Sequence, residues 1–222
     1  MRDTTAMVAA ATVVGSAGLA TAQQFDDRMA FEAAAADQNI ALDSESFEGL
    51  PITGSAAESE FTLPAFTVSA VNEGFEFLPP LGIEGLTGGG GTFATDGDQH
   101  LNVGSLFNTG QNNDVVVTFQ FETAINALFL DITDLRGLDQ APNPRAFLET
   151  GAGDAITLLD GQQNDQDLLT VGLISDSTFD TVTIRATAGD SFGIDAVSFG
   201  VPTPGTAALL GLGGLSASRR RR

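Results

Sequence analysis

The side chains that most often carry chemistry are scarce in this 222-residue chain, apart from its carboxylates. His100 is the sole histidine, and there is no cysteine. A paired-histidine metal site, a cysteine–histidine dyad and a disulfide framework are therefore excluded, and His100 is predicted to start a strand. The chain has 29 acidic residues, but no spacing marks two of them as an acid–base pair. The sequence therefore predicts a protein that is not an enzyme.

Asp195 is the acidic residue that the sequence pattern singles out. It alternates with Val197 and Phe199, which predicts that it shares their inward face. An unpaired buried carboxylate is too costly to leave alone, so Asp195 needs a partner. Arg185 or backbone N–H groups at a strand end can supply this partner. A cation is a further alternative, which is implied by a resemblance described below.

Two long loops rich in Gly, Asp and Asn, Thr87–Gln99 and Asp160–Asp167, are expected to be functional or disordered rims. The glycines at 88–91 are followed by neither Gly-Lys-Ser/Thr nor a helix, so they do not form a phosphate-binding loop. The acidic loops also lack the glycine and glutamate spacing of an EF-hand.

The elements that must position these residues are mostly strands. A short amphipathic helix is predicted over Phe25–Gln38, where helix formers follow acidic residues. After it come short β-type runs separated by Gly, Asn, Asp and Pro: Ser46–Leu50, Phe66–Val71, Gly74–Leu78, His100–Ser105, Asp114–Phe121, Ile125–Ile132, Arg145–Thr150, Ala155–Leu159, Leu168–Ile174, Thr181–Ala186 and Ile194–Phe199. This spacing predicts an all-β fold, an antiparallel β-sandwich.

Three runs have a clear pattern. Apolar residues at 115, 117, 119 and 121 alternate with polar ones, which predicts a strand with one wet face. The run from Ala127 to Ile132 is largely apolar on both faces, so it is expected to be central. Gly151–Asp154 lies between two strand-like runs and predicts a hairpin.

The charge of the chain is strongly negative. Without Asp3, Arg2 and the four terminal arginines, 28 acidic residues face four arginines, a net charge of −24. Such a field repels nucleic acid, which we exclude as a partner, and attracts cations.

The first 22 residues have the features of a signal peptide. Arg2 precedes an apolar stretch from Ala6 to Leu19, and Ala20-Thr21-Ala22 is a small-x-small pattern that signal peptidase accepts. Cleavage is predicted after Ala22. The alternative, a buried N-terminal helix, is disfavoured because Gly15 and Gly18 interrupt the stretch.

The last 22 residues have three parts. Pro202, Thr203 and Pro204 end the folded domain, because proline fixes φ and removes a backbone donor. The uncharged segment 205–218 would reach roughly 21 Å as a helix, short of the roughly 30 Å hydrocarbon core. Arg219, Arg220, Arg221 and Arg222 then form a basic stop that favours the cytoplasmic side of a membrane. The alternative is a disordered terminus.

This order of proline motif, apolar segment and basic end resembles the C-terminal sorting signal of bacterial PEP-CTERM proteins. The resemblance covers about 22 residues, and Thr203 stands where the family usually has Glu. It implies that an exosortase-like membrane protease processes the tail, that segment 205–218 contacts the membrane transiently, and that the protein is exported to the cell surface or matrix.

The body resembles the jelly-roll domains that commonly precede such tails, which are similar in fold to carbohydrate-binding modules. The resemblance rests on the run 46–50 after the helix, on 171–176, and on 192–200 before the tail. It implies a sandwich whose first and last strands are adjacent, and a structural Ca²⁺ held by one acid on each, which Glu48 and Asp195 match.

Four segments are predicted: a signal peptide at 1–22, a helical lead-in at 23–44, a β-sandwich at 45–200 and a sorting signal at 201–222. The expected function is that of a non-enzymatic surface or matrix protein associated with exopolysaccharide. The alternative is a carbohydrate-binding protein. Against it, the chain lacks the Trp and Tyr that usually stack on sugars, so loops would have to carry recognition.

Overall fold

The computed structural model describes residues 22–54, 57–73, 80–86, 92–104, 114–135, 145–160, 168–187 and 191–202. One helix, α1, spans Arg28–Asp37 within this part of the chain. The strands are β1 Gln23–Phe25, β2 Ile40–Glu45, β3 Glu60–Thr62, β4 Phe66–Glu73, β5 Leu81–Glu84, β6 His100–Val103, β7 Asp114–Thr133, β8 Arg145–Thr150, β9 Ala155–Asp160, β10 Leu168–Thr187 and β11 Phe192–Pro202. No helix in these ranges is long and apolar enough to cross a membrane.

Two long bent strands, β7 and β10, join the two layers of an antiparallel β-sandwich. The first half of β7 pairs with β4 and with the second half of β10. The second half of β7 pairs with β11 and with the first half of β10. The β7–β10 register breaks between Ile174 and Thr181, and there both strands pass from one layer to the other. A bulge of this kind bends a strand without ending its pairing.

The front sheet has the order β3-β4-β7-β10-β8-β9, and the back sheet has the order β5-β6-β11-β7-β10-β1. β6 pairs with the first half of β11, and β2 pairs with the second half. β6 and β2 therefore follow one another along the same edge of β11. The fold is therefore the predicted antiparallel sandwich of jelly-roll type. The resemblance implied adjacent first and last strands, but the first strand, β1, pairs with β10, and it is β2, the first strand after α1, that pairs with β11.

The core fills the space between the two sheets. The alternation predicted for the first half of β7 is confirmed, since Val115, Val117 and Phe119 are buried while Gln120 is exposed. Phe66 is at the centre of an aromatic cluster, with ring centroids of its neighbours between 5.3 and 6.4 Å away; the neighbours are Phe47, Phe119, Phe121 and Phe199.

Helix α1 packs on the outer face of the back sheet. It begins three residues later than predicted because Asp27 caps it, with Oδ1 accepting a hydrogen bond from the Ala30 N–H at 2.8 Å. Phe25 instead pairs in β1. Phe31 is fully buried against Phe129, with ring centroids 5.2 Å apart, so the helix closes a second, smaller apolar cluster.

Several strand boundaries differ from the predictions. The strand predicted at Ser46–Leu50 is wrong: the strand is β2, Ile40–Glu45, and residues 46–50 form a turn in which Phe47 has φ 61° and Gly49 has φ 81°. The lead-in at 23–44 is therefore partly sheet, since β1 and β2 belong to it. Each pair of runs predicted within β7 and within β10 is one continuous strand, because bulges rather than loops separate their halves.

Other predictions are confirmed at the level of the element. β8 has the predicted bounds, and His100 is the first residue of β6. The hairpin after β8 closes with the Gly153 N–H donating to the Thr150 carbonyl. The run Gly74–Leu78, segment 1–21, Thr203, Pro204 and Arg219–Arg222 lie outside the described residues. β11 includes Val201 and Pro202, so it extends two residues beyond the predicted end of the β-sandwich at 200.

Candidate functional site

The two acids predicted to act together, Glu48 and Asp195, do converge on one loop. Residues 95–99, which precede β6, run between the two carboxylates, and both carboxylates accept hydrogen bonds from backbone N–H groups of this loop. Residues 92–99 are the described part of the predicted rim Thr87–Gln99. The acids therefore hold a loop in place, and we call residues 95–99 the clamped loop.

Asp195 reaches the loop because β11 has a bulge. The β11–β7 register shifts between Asp195 and Ser198, and Ala196 has φ 52°. Ile194 and Val197 both belong to the main core, so the alternation restarts after the bulge and Asp195 faces away from that core. The prediction that Asp195 shares a face with Val197 and Phe199 is wrong for this reason, although its burial was predicted correctly.

The Asp195 carboxylate is fully buried, and its two oxygens have different environments. Oδ2 accepts hydrogen bonds from the Thr95 N–H at 2.6 Å, the Asp96 N–H at 2.8 Å and the Thr95 hydroxyl at 3.3 Å. Oδ1 has no hydrogen-bond partner. Burial raises the pKa of Asp195 to about 6, although the backbone donors act in the opposite direction. Of the alternatives left open by the sequence, the backbone donors are present, and Arg185 is not among the partners.

Glu48 lies in the turn after β2 rather than on a strand. Its Oε1 accepts hydrogen bonds from the Asp98 and Gln99 N–H groups at 2.6 and 2.7 Å. Gly97 has φ 81°, and a Cβ at this position would collide with the Glu48 carboxylate. Only glycine satisfies both the backbone conformation and the space, so Gly97 allows the loop to wrap around the carboxylate.

A row of polar side chains continues from Asp195 across the outer face of the back sheet. Asp195 pairs with Asp131, and Asp131 pairs with Thr170, whose hydroxyl donates to Asp131 Oδ1 at 3.0 Å. On the other side, His100 pairs with Glu84. Leu101 pairs with Ile194, so continuing that register by one residue places His100 beside Asp195. The back sheet thus carries titratable groups from four neighbouring strands in one line.

His100 is fully buried in this row. Its Nε2 lies 3.9 Å from Glu84 Oε2, and neither ring nitrogen has a hydrogen-bond partner. Burial lowers the pKa of His100, and Glu84 partly offsets this effect. The imidazole is therefore neutral at pH 7. Because it is shielded from solvent, it has no route to act as a general base on an external substrate.

Sequence reasoning missed Glu84, Asn102 and Asp131. Asn102 donates to Glu84 Oε2 at 3.1 Å and to the Thr92 hydroxyl at 3.2 Å. A signal was present in the polar alternation of His100 and Asn102 within an otherwise apolar run. Asp131 was missed because the run 127–132 was predicted to be largely apolar on both faces.

The Ca²⁺ hypothesis can be compared with this geometry. No group of three or more His, Asp or Glu side chains in the described ranges is arranged to hold a metal ion. Glu48 Oε1 and Asp195 Oδ2 already accept N–H groups, whereas Asp195 Oδ1 is a buried anionic oxygen without a partner. A cation there would use Asp195 Oδ1, and its other ligands would be backbone oxygens, water or the second oxygen of Glu48.

No family model and no curated protein matches the chain. Among solved structures, the K2 cleaved adhesin domain of Lys-gingipain aligns with 12% identity over 72% of this chain and 99% of that one, at a TM-score of 0.46. A family 61 carbohydrate-binding module in complex with β-1,4-galactotriose aligns with 11% identity over 71% and 99%, at 0.39. A mutant of a family 29 module aligns with 11% identity over 72% and 91%, at 0.36. These likenesses concern the fold alone.

Proposed function

We propose that this chain is an exported, non-catalytic surface protein whose β-sandwich is delivered by its C-terminal tail and associates with extracellular polysaccharide. The signal peptide directs export, and the tail acts as the sorting signal that directs the chain to the cell surface. The body supplies a rigid, acidic domain with no disulfide requirement, since the chain has no cysteine.

One observation supports this proposal most directly: both ends of the body lie in one row of the back sheet. Gln23 pairs with Ile174, Ile174 with Ala127, and Ala127 with Gly200. Three strand spacings separate Gln23 from Gly200, about 14 Å. An N-terminal signal and a C-terminal tail would therefore leave the sandwich close together, and the opposite end would point away from the membrane.

The boundaries are also compatible with processing. Cleavage after Ala22 leaves β1 complete, because β1 begins at Gln23. Processing after Pro202 leaves β11 complete, because β11 ends there. Removal of both segments would therefore cost the described sandwich no hydrogen-bonded strand residue.

The non-catalytic part of the proposal rests on how the acids are used. Glu48 and Asp195 accept backbone N–H groups of the clamped loop, and His100 is fully buried. The support for a non-catalytic role is that these two carboxylates hold a loop in place.

The test is deletion of Gly205–Arg222 in the native host. The deletion touches no described residue, so the melting midpoint of the purified body is expected to stay within 1–2 °C, about 0.5 kcal/mol for a domain of this size. Surface retention, measured by labelling intact cells, is expected to be lost. A variant that replaces only Arg219–Arg222 with serine tests the basic stop separately.

Two results would contradict the proposal. Unchanged surface retention of the deletion variant would show that the tail is not a sorting signal. Loss of surface protein together with a lower melting midpoint would show a folding role for the tail instead.

Glycan binding by the body is the second candidate function. It is favoured by an open groove between the edges of the two sheets, because polar and apolar side chains line it together. This function does not depend on the sorting tail.

A further inference from the structure

The groove lies where the two sheets diverge. Strand β1 is the edge of the back sheet, strand β9 is the edge of the front sheet, and the first half of β10 forms the floor between them. Its volume is about 340 Å³, which lies in the range of small-molecule sites. The Gln24 side chain bridges one end of the groove by donating to the Ala155 carbonyl at 3.5 Å.

The floor of the groove is apolar and fixed in position. It is formed by Ile156, Leu158, Leu169 and Val171, which belong to the main core or pack against it. Phe25 also borders the groove, but its ring packs edge-on against Phe31 of α1 on the outer face of the back sheet, with centroids 5.7 Å apart. Gly172 permits this approach, because a Cβ there would lie only 2.9 Å from the Phe25 Cβ. The floor is therefore in place before any ligand arrives, which lowers the entropic cost of binding.

The rim of the groove is polar and carries no positive charge. Gln24, Asp26 and Thr157 are exposed there, and Thr170 is half-buried. These side chains offer both donors and acceptors. The Thr170 hydroxyl is already engaged, because it donates to Asp131 on the outer face of the back sheet. Asp26 and the negative net charge, −20 for the full chain, would repel an anionic ligand.

We propose that this groove binds a short segment of neutral polysaccharide. A sugar ring has C–H faces that suit the apolar floor and hydroxyls that suit the rim. A fatty chain would leave the rim groups unpaired on binding, which is unfavourable, and a uronic acid or a phosphate would be repelled by Asp26. The inference deepens the proposed association with polysaccharide and rests on it for its biological setting only.

The experiment measures binding of the full chain to mannohexaose, xylohexaose and β-1,4-galactotriose by isothermal titration calorimetry, with oligogalacturonate as the acidic probe. Gln24→Ala and Asp26→Ala are the groove variants. Their matched controls are Gln120→Ala, on the outer face of the front sheet, and Asp43→Ala, on β2; both control residues are exposed. Melting midpoints of all variants show that they are folded.

The expected result is binding of at least one neutral probe, no binding of oligogalacturonate, and at least a tenfold loss of affinity in each groove variant. The controls are expected to bind within twofold of the unmodified chain.

Three results would overturn the inference. The first is that no neutral probe binds, and the second is that the groove variants bind with the same affinity as the unmodified chain. The third is a loss of affinity in Gln120→Ala, which would place the site on the outer face of the front sheet. These outcomes do not touch the surface-retention test, which needs no sugar. If surface retention depends on the tail and no neutral probe binds, only the assignment of the groove fails. If the groove binds and retention is independent of the tail, the delivery proposal fails.

Discussion

Asp195 is a buried carboxylate whose Oδ2 accepts hydrogen bonds from the clamped loop and whose Oδ1 has no hydrogen-bond partner. Its pKa is raised from 3.8 to about 6, so the folded chain binds a proton more tightly than the unfolded chain does. The stability from this group is fully present below about pH 4 and is lost as the pH rises through 6. The loss amounts to about 3 kcal/mol. His100 acts in the opposite direction, because its lowered pKa costs stability as the pH falls below 6.5.

We therefore predict that Asp195→Asn changes the pH profile of unfolding. The asparagine keeps an acceptor for the clamped loop but does not titrate. Between pH 4 and pH 7, the unmodified chain is expected to lose about 2.4 kcal/mol of unfolding free energy relative to the variant. Urea unfolding in the presence of a chelator measures it. Asp43→Asn, an exposed acid, serves as the control, and a pH-independent difference for Asp195→Asn would contradict the prediction.

Ca²⁺ binding at the same carboxylate is a separate prediction. A cation that binds only the native state adds about 2.7 kcal/mol at 100 times its dissociation constant. For a domain of this size, each kcal/mol moves the melting midpoint by roughly 2–4 °C. Chelation is therefore expected to lower the midpoint by about 5–10 °C at fixed ionic strength. Asp195→Asn is expected to remove this response.

Sodium at matched ionic strength controls for general screening of the acidic surface. Glu48→Gln tests whether the second carboxylate contributes. Equal melting midpoints with Ca²⁺ and with chelator would show that the loop N–H groups satisfy Asp195 without a cation.

Helix α1 is the element whose role is easiest to test. Its inward side chain Phe31 is fully buried between Phe25 and Phe129, whereas Met29 on the same helix is 78% exposed. Phe31→Ala is expected to cost about 3–5 kcal/mol, because it leaves a cavity under the helix. Met29→Ala is expected to change stability by less than about 0.5 kcal/mol. Denaturant unfolding of both variants measures these values.

The outcome for α1 also bears on the groove. Phe31 packs against Phe25, a residue that borders the groove. A Phe31→Ala loss of less than about 1 kcal/mol would mean that the helix contributes little to the packing of the back sheet.

At the scale of the whole molecule, the position of the mature N-terminus is the central prediction. Ala20-Thr21-Ala22 predicts that the exported chain begins at Gln23, which is also the first residue of β1. Intact mass of the exported protein is expected to match a chain that starts there. A mass that includes residues 1–22 would contradict the prediction.

The sequence by itself determined the fold class and several elements of this protein. Alternation at 115–121 fixed the inward face of β7, because a half-buried strand must place its apolar side chains on one side. Run lengths and turn residues located β8 and its hairpin. The alternation pattern also singled out Asp195, whereas Glu48 was implied only by the resemblance, which assigned it to a strand.

Only the tertiary structure decided which groups those carboxylates face. Strict alternation assigns Asp195 to the main core, but the bulge at Ala196 turns it to the other face, and a bulge leaves no signature in a pattern of period two. The clamped loop lies about 50 residues from Glu48 and about 100 from Asp195 along the chain. The groove likewise exists only because β1 and β9 end two different sheets, a juxtaposition that depends on long-range pairing rather than on local sequence.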